Sequence, residues 1–177
     1  MASISAVLDA IEQHLKFPRS RSAGVARRLQ EARLLPTGVP SAPPELDEDQ
    51  TIDLVVALAS DVTLHEAPDA VRAFHRMTPG GVNLEGAPQT IPNAPIAVSI
   101  LVEDARAGVA EARKAQIAVS CNWRALAIHM PGGDVQRFCE AGQAASHWQS
   151  GGHHRSTTLN VAAIADALDE IFGKAQA

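Results

Sequence analysis

Tyrosine is missing from this sequence, and aromatic residues make up only 3 % of its 177 positions. A stacking platform for single-stranded nucleic acid needs ring faces, so the composition argues against that mode of binding. Cysteine is scarce as well, limited to Cys121 and Cys139. No apolar run approaches the ~20 residues of a membrane helix, so no membrane partner is expected. The N-terminus lacks a basic segment followed by an apolar stretch, and no secretory leader is expected. A cytoplasmic setting with reduced thiols is the corresponding expectation. Apolar residues are plentiful at 46 %, so a core can be built from Ala, Val, Leu and Ile.

The net charge of −5 hides an uneven distribution. Residues 1–38 carry six basic side chains (Lys16, Arg19, Arg21, Arg27, Arg28 and Arg33) against three acids. The remainder has nine basic and seventeen acidic residues, and residues 45–69 hold eight acids with no Lys or Arg. Such asymmetry suggests that the basic end meets an anionic partner.

Hydrophobic spacing organises the chain. Ile4, Val7, Leu8, Ile11 and Leu15 recur at helical intervals, with Ser3 or Ser5 as the cap. A loop over residues 18–22 leads to a second helix capped by Ser22, with Val25, Leu29 and Ala32 inside and a stop at Pro36 and Gly38. Residues 37–44 are turn formers. Asp47 or Glu45 opens a third helix through Ile52, Val55, Val56 and Ala59, and Pro68 opens a fourth that ends near Met77. Residues 78–95 contain four Pro and three Gly and read as a linker. Beyond them, residues 96–102 read as a strand, 104–115 as a helix and 116–120 as a strand. Residues 123–129 and 135–139 form a hairpin around Pro131-Gly132-Gly133-Asp134. Residues 141–152 read as a mobile loop, 157–159 as a short strand, and Asn160 caps a last helix ending at Gly173. The expected class is α+β: a helical, winged-helix-like domain over 1–77, a linker over 78–95, and a small antiparallel-sheet domain over 96–177.

The order of helix, short turn, basic helix, Leu34-Leu35-Pro36, Pro/Gly excursion and acid-capped helix resembles the winged helix-turn-helix of MerR-type regulators and excisionase-like phage proteins. The matching segments are residues 25–31, 34–36 and 47–54, within the N-terminal third. Arg33 stands where that family usually has Gly, and the wing-like stretch 37–45 has no Lys or Arg. The resemblance implies that Ser20, Arg21 and Ser22 present donors to phosphate at the helix start. It implies that Arg27 and Arg28 face the groove, one of them reading guanine, while Lys16, Arg19 and Arg33 add phosphate contacts. The competing reading is that Arg27 and Arg28 pair with Glu31 within the helix, where one acid cannot neutralise two cations.

Other constellations point to little chemistry. Cys121, His129, Cys139, His147, His153 and His154 match no common zinc spacing, so no metal is expected. Cys121 with His129 or His147 lacks an orienting third group, and no enzymatic activity or cofactor is expected. Trp123 reads as partial core and Trp148 as a loop anchor. His153, His154 and Arg155 read as a solvated turn. The sequence therefore leads to a DNA-binding regulatory protein of phage or prophage type that holds double-stranded DNA as a homo-oligomer, most simply a dimer. Residues 96–177 would serve assembly or a protein partner. The alternatives are a small-terminase-like DNA-packaging subunit and a non-DNA-binding adaptor or structural phage component.

Overall fold

Ser3 starts the first helix by accepting the Ala6 N–H on its hydroxyl at 3.3 Å. Helix α1 (Ile4–Ala10) runs into a π-helical turn, Ile11–Leu15, which ends on Lys16 in the left-handed region. In this computed structural model, residues 1–39, 43–86, 92–143 and 153–174 are described. Strand β1 (Ala2–Ser3) pairs antiparallel with β2 (Glu45–Leu46), bringing the chain start against the entry to the third helix.

Helix α2 (Arg19–Glu31) begins three residues before the cap expected at Ser22. Pro18 occupies the cap position, and Ser22 lies inside the helix, wholly buried, its hydroxyl donating to the Pro18 carbonyl at 3.2 Å. Proline's fixed φ suits a helix start, and the Arg19 N–H that Pro18 cannot cap is taken by the Glu12 carboxylate. Ser22, Val25, Ala26 and Leu29 form the buried stripe. At the far end Arg33 adopts φ 59°. The Arg33 N–H returns to the Gln30 carbonyl at 3.0 Å and the Leu34 N–H to the Leu29 carbonyl at 2.9 Å. This is the double return bond that commonly follows a left-handed glycine, here carried by arginine.

Helix α3 (Glu48–Ala59) is capped as its sequence predicts. Asp47 accepts the Gln50 N–H, and Gln50 reaches back to the Asp47 N–H. Helix α4 (Ala67–Arg76) follows, with Pro68 in its first turn. His75 of α4 bonds both oxygens of Asp53 on α3, at 2.8 and 2.9 Å. Burial pushes the Asp53 carboxyl up, and His75 pulls it only partly back.

The segment expected to be a linker is only partly one. Residues 77–79 form strand β3 (Met77–Pro79), and α5 (Ala94–Arg106) begins before residue 96; residues 87–91 lie outside the described set. The expected strand over 96–102 is part of α5. Asn93 accepts the Ile96 N–H at 3.1 Å and Pro95 sits in the first turn, so the chain starts a helix there. Ala94, Ala97, Val98, Leu101, Val102 and Ala105 are buried at helical spacing. An unbroken apolar run fits a buried helix as well as a buried strand, and the cap decides between them. The helix expected over 104–115 is broken at Ala107 and Gly108, after which α6 (Ala110–Lys114) forms a single turn.

Strands β4 (Gln116–Ser120), β5 (Ala125–His129), β6 (Val135–Glu140) and β7 (Ser156–Asn160) complete an antiparallel sheet of order β3-β6-β5-β4-β7. The hairpin around residues 131–134 is present, with Ala127 opposite Arg137. Pro79 lies on edge strand β3, where a missing N–H is tolerated. Gly81 must be glycine: a Cβ there would collide with the Gln143 carbonyl and the Cys139 sulfur. Helix α7 (Val161–Phe172) starts after Asn160, whose side chain accepts from Gln116 at 3.2 Å instead of capping the helix. The wing residues 40–42 and loop residues 144–152, with His147 and Trp148, lie outside the described set.

Fold class is therefore α+β, but packing crosses the expected boundaries. One cluster of buried apolar side chains runs from Val7 through Leu29, Val55 and Phe74 to Phe138 and Leu168. Helix α7 packs on α1 and its π-turn, and Glu170 accepts from Gln13 at 3.1 Å and meets His14 at 2.6 Å. Arg106 of α5 bonds Glu48 at the start of α3, Asp169 of α7 and the Gly173 carbonyl.

Candidate nucleic-acid interface

Helix α2 presents two distinct sets of basic residues. The first surrounds its N-terminus. Glu12 accepts the Arg19 N–H at 2.9 Å, so a carboxylate of the chain already occupies part of the anion-attracting helix start. The Arg19 guanidinium pairs with Asp9 at 3.0 Å and donates to Ser5 at 2.9 Å. Arg21 turns the other way and donates to the Val62 carbonyl, fastening α2 to the segment before α4. Ser22, expected to meet phosphate, is wholly buried and cannot reach one; its N–H is also taken, by the Pro18 carbonyl. Ser20 alone of that trio is exposed with its hydroxyl bonded to no described residue.

The second set lies further along. Ser20, Ala23, Arg27 and Glu31 fall on the outward face at three- and four-residue spacing, all exposed. The Arg27 side chain is 80 % exposed. Its Nε donates to Glu31 at 3.0 Å, and Arg28 Nη1 donates to the other oxygen at 2.7 Å. Both cations therefore share a single carboxylate, and Arg28 and then Arg27 hold that carboxyl below its usual range. The intrahelical pairing that the spacing allowed is thus present, with two positive charges against one negative. Exposed pairs of this kind hold weakly in a high dielectric, and a phosphate can displace the shared acid.

Two further cations flank the face. Lys16, left-handed at φ 62°, donates only to the Gln13 carbonyl among the described residues. Arg33 is exposed and pairs with no described residue. Of the eight expected contacts, Lys16, Ser20, Arg27, Arg28 and Arg33 are open to solvent, Arg19 and Arg21 are tethered, and Ser22 is enclosed. The tethers are invisible in the sequence because their partners, Asp9 and Val62, belong to other elements.

The thiols occupy structural surroundings. Cys121 lies 3.6 Å from the Thr157 hydroxyl and 3.7 Å from the Ala59 carbonyl. Burial pushes the Cys139 thiol up, away from the reactive thiolate. Among the described residues, no three His, Cys, Asp or Glu side chains gather in a metal-binding group. No helix among them is long and apolar enough to cross a membrane.

Comparison with known proteins returned no match among protein-family models, curated proteins or solved structures.

Proposed function

We propose that this chain is a DNA-binding regulatory protein of phage or prophage type that grips duplex DNA through the outward face of α2. The supporting observation is the arrangement at Glu31, where two exposed arginines share one weakly held acid. Phosphates take over Arg27 and Arg28 from Glu31, while Lys16 and Arg33 contact the backbone on either side and Ser20 donates its hydroxyl. Arg19 and Arg21 orient the helix instead of touching DNA. A dimer places two such helices on successive grooves.

With four cations engaged on each of the two helices, affinity falls about 10⁴-fold between 50 and 200 mM salt, given a slope near 0.9 per phosphate. Binding of random duplex DNA across that range tests the reading, with Arg27→Ala and Arg28→Ala measured in parallel. Each variant removes one contact per helix and so flattens the salt slope of the dimer by about 2. Wild-type protein that leaves duplex DNA unbound at low salt overturns the proposal.

A protein-contact role is the second reading, and one observation favours it. Ile96 and Ile100, one turn apart on α5, are about half exposed. They border a groove that also includes Asp49, Asp53 and Glu103, an apolar stripe with an acidic rim. An adaptor binds a partner there and ignores DNA.

A further inference from the structure

A cavity of about 310 Å³ lies between α4 and the ends of β4 and β5. Its volume is at the small end of the range for ligand sites. It exists because α4 turns Ala70 and Ala73 toward the sheet, where longer side chains would fill the gap. Phe74, Met77, Val119 and Leu126, all buried, make its apolar lining.

The polar groups around it have valences to spare, of both signs. Glu66 takes the Thr63 N–H at 3.2 Å and the Thr63 hydroxyl at 2.7 Å, both on Oε2. Its Oε1 accepts nothing from the described residues. Those two bonds hold the carboxyl below its usual range, so it is charged at neutral pH. Asp69 uses Oδ1 for Arg72 at 2.9 Å. Ser60 is 5 % exposed and donates its proton to the Ala57 carbonyl at 2.7 Å, leaving its oxygen as a buried acceptor. Opposite in character is Arg124, whose nearest acid oxygen, Glu140 Oε2, is 3.8 Å away, while Arg76 bonds the other oxygen of that carboxylate. That distance is too long for a hydrogen bond, so the guanidinium donors of Arg124 are unclaimed among the described residues.

We infer that this cavity binds a free, apolar α-amino acid. The ammonium group takes the spare acceptors of Glu66, Asp69 and Ser60. The carboxylate takes the Arg124 fork, whose geometry suits a planar anion. The side chain fills the space against Phe74, Met77, Val119 and Leu126. A neutral hydrophobe would use the lining alone, leaving the exposed Glu66, Asp69 and Arg124 to water and the buried Ser60 acceptor unused.

Val62 also lines the cavity, and its carbonyl holds Arg21 of α2. If α2 is the DNA helix, an amino acid here is its effector; that corollary rests on the DNA reading, whereas the binding test below contains no DNA.

Full-length protein is titrated with L-leucine and L-phenylalanine, followed by amide chemical shifts and calorimetry. Two fragments of leucine, 3-methylbutylamine and 4-methylpentanoate, serve as controls. At least one amino acid binds saturably, and the fragments bind at least tenfold more weakly. Arg124→Gln, at an exposed position, weakens the amino acid to the level of its amine fragment. Ala70→Trp fills the cavity and abolishes binding with an unchanged melting curve. The proposal is overturned if neither amino acid binds, if a fragment matches its parent, or if Arg124→Gln leaves affinity unchanged.

Discussion

On α2, Arg27 and Arg28 share the Glu31 carboxylate in contact with water. On α5, Arg106 lies between Glu48 at 2.6 Å and Asp169 at 2.8 Å with its side chain only 6 % exposed. Both sites set arginine against carboxylate at similar distances. In the first, water competes for every bond, the partners lie on one helix, and the fold does not depend on the pairing. In the second, three helices and the Gly173 carbonyl converge on one guanidinium, and loss of the cation strands a partly buried Asp169. Availability for a partner thus depends on burial and on where the counter-charge resides, and the number of arginines in a segment does not report either.

Replacing Arg106 gives the largest expected effect. Arg106→Met preserves the apolar stem and removes the charge, and it lowers unfolding free energy by about 3 kcal/mol in a urea titration. A variant as stable as wild type would erase the distinction between the two clusters. Arg33→Gly is smaller and opposite in sign. It relieves the left-handed strain, about 1–2 kcal/mol, against about 0.5–1 kcal/mol of added chain entropy, so the midpoint of unfolding rises slightly. It also removes one proposed DNA contact, so DNA affinity falls while stability rises. Smallest is Glu31→Gln, which leaves the unfolding midpoint in place and tightens duplex binding several-fold at low salt. Tightening without a change in stability is the signature of an exposed acid that competes with phosphate.

Elements with local signals are legible in the sequence. The Asp47–Gln50 capping box, Pro68 at the start of α4 and the Gly132-Gly133 hairpin each depend on residues a few positions apart. Residues 96–102 mislead because seven apolar or small residues satisfy a buried strand and a buried helix alike; the Asn93 cap and Pro95 are the deciding signals, and both lie within the stretch that reads as a linker. Ser22 is a good cap by residue type, but Pro18 begins the helix earlier. At the candidate site, the positions of Arg27, Arg28 and Glu31 on one helix are legible from spacing. The diversion of Arg19 to Asp9 and of Arg21 to Val62 is not, since it depends on tertiary contacts. The cavity between α4 and the sheet is likewise built from residues far apart in sequence.

The packing of α7 on α1 bears on how the chain folds. His14 and Glu170, which meet at 2.6 Å, are 156 residues apart. Closing so long a loop delays the contact relative to the local helices and the hairpin. In a nascent chain α2 and β2 can therefore cover their share of α1 early, while the part of α1 that faces α7 stays uncovered until α7 has been made.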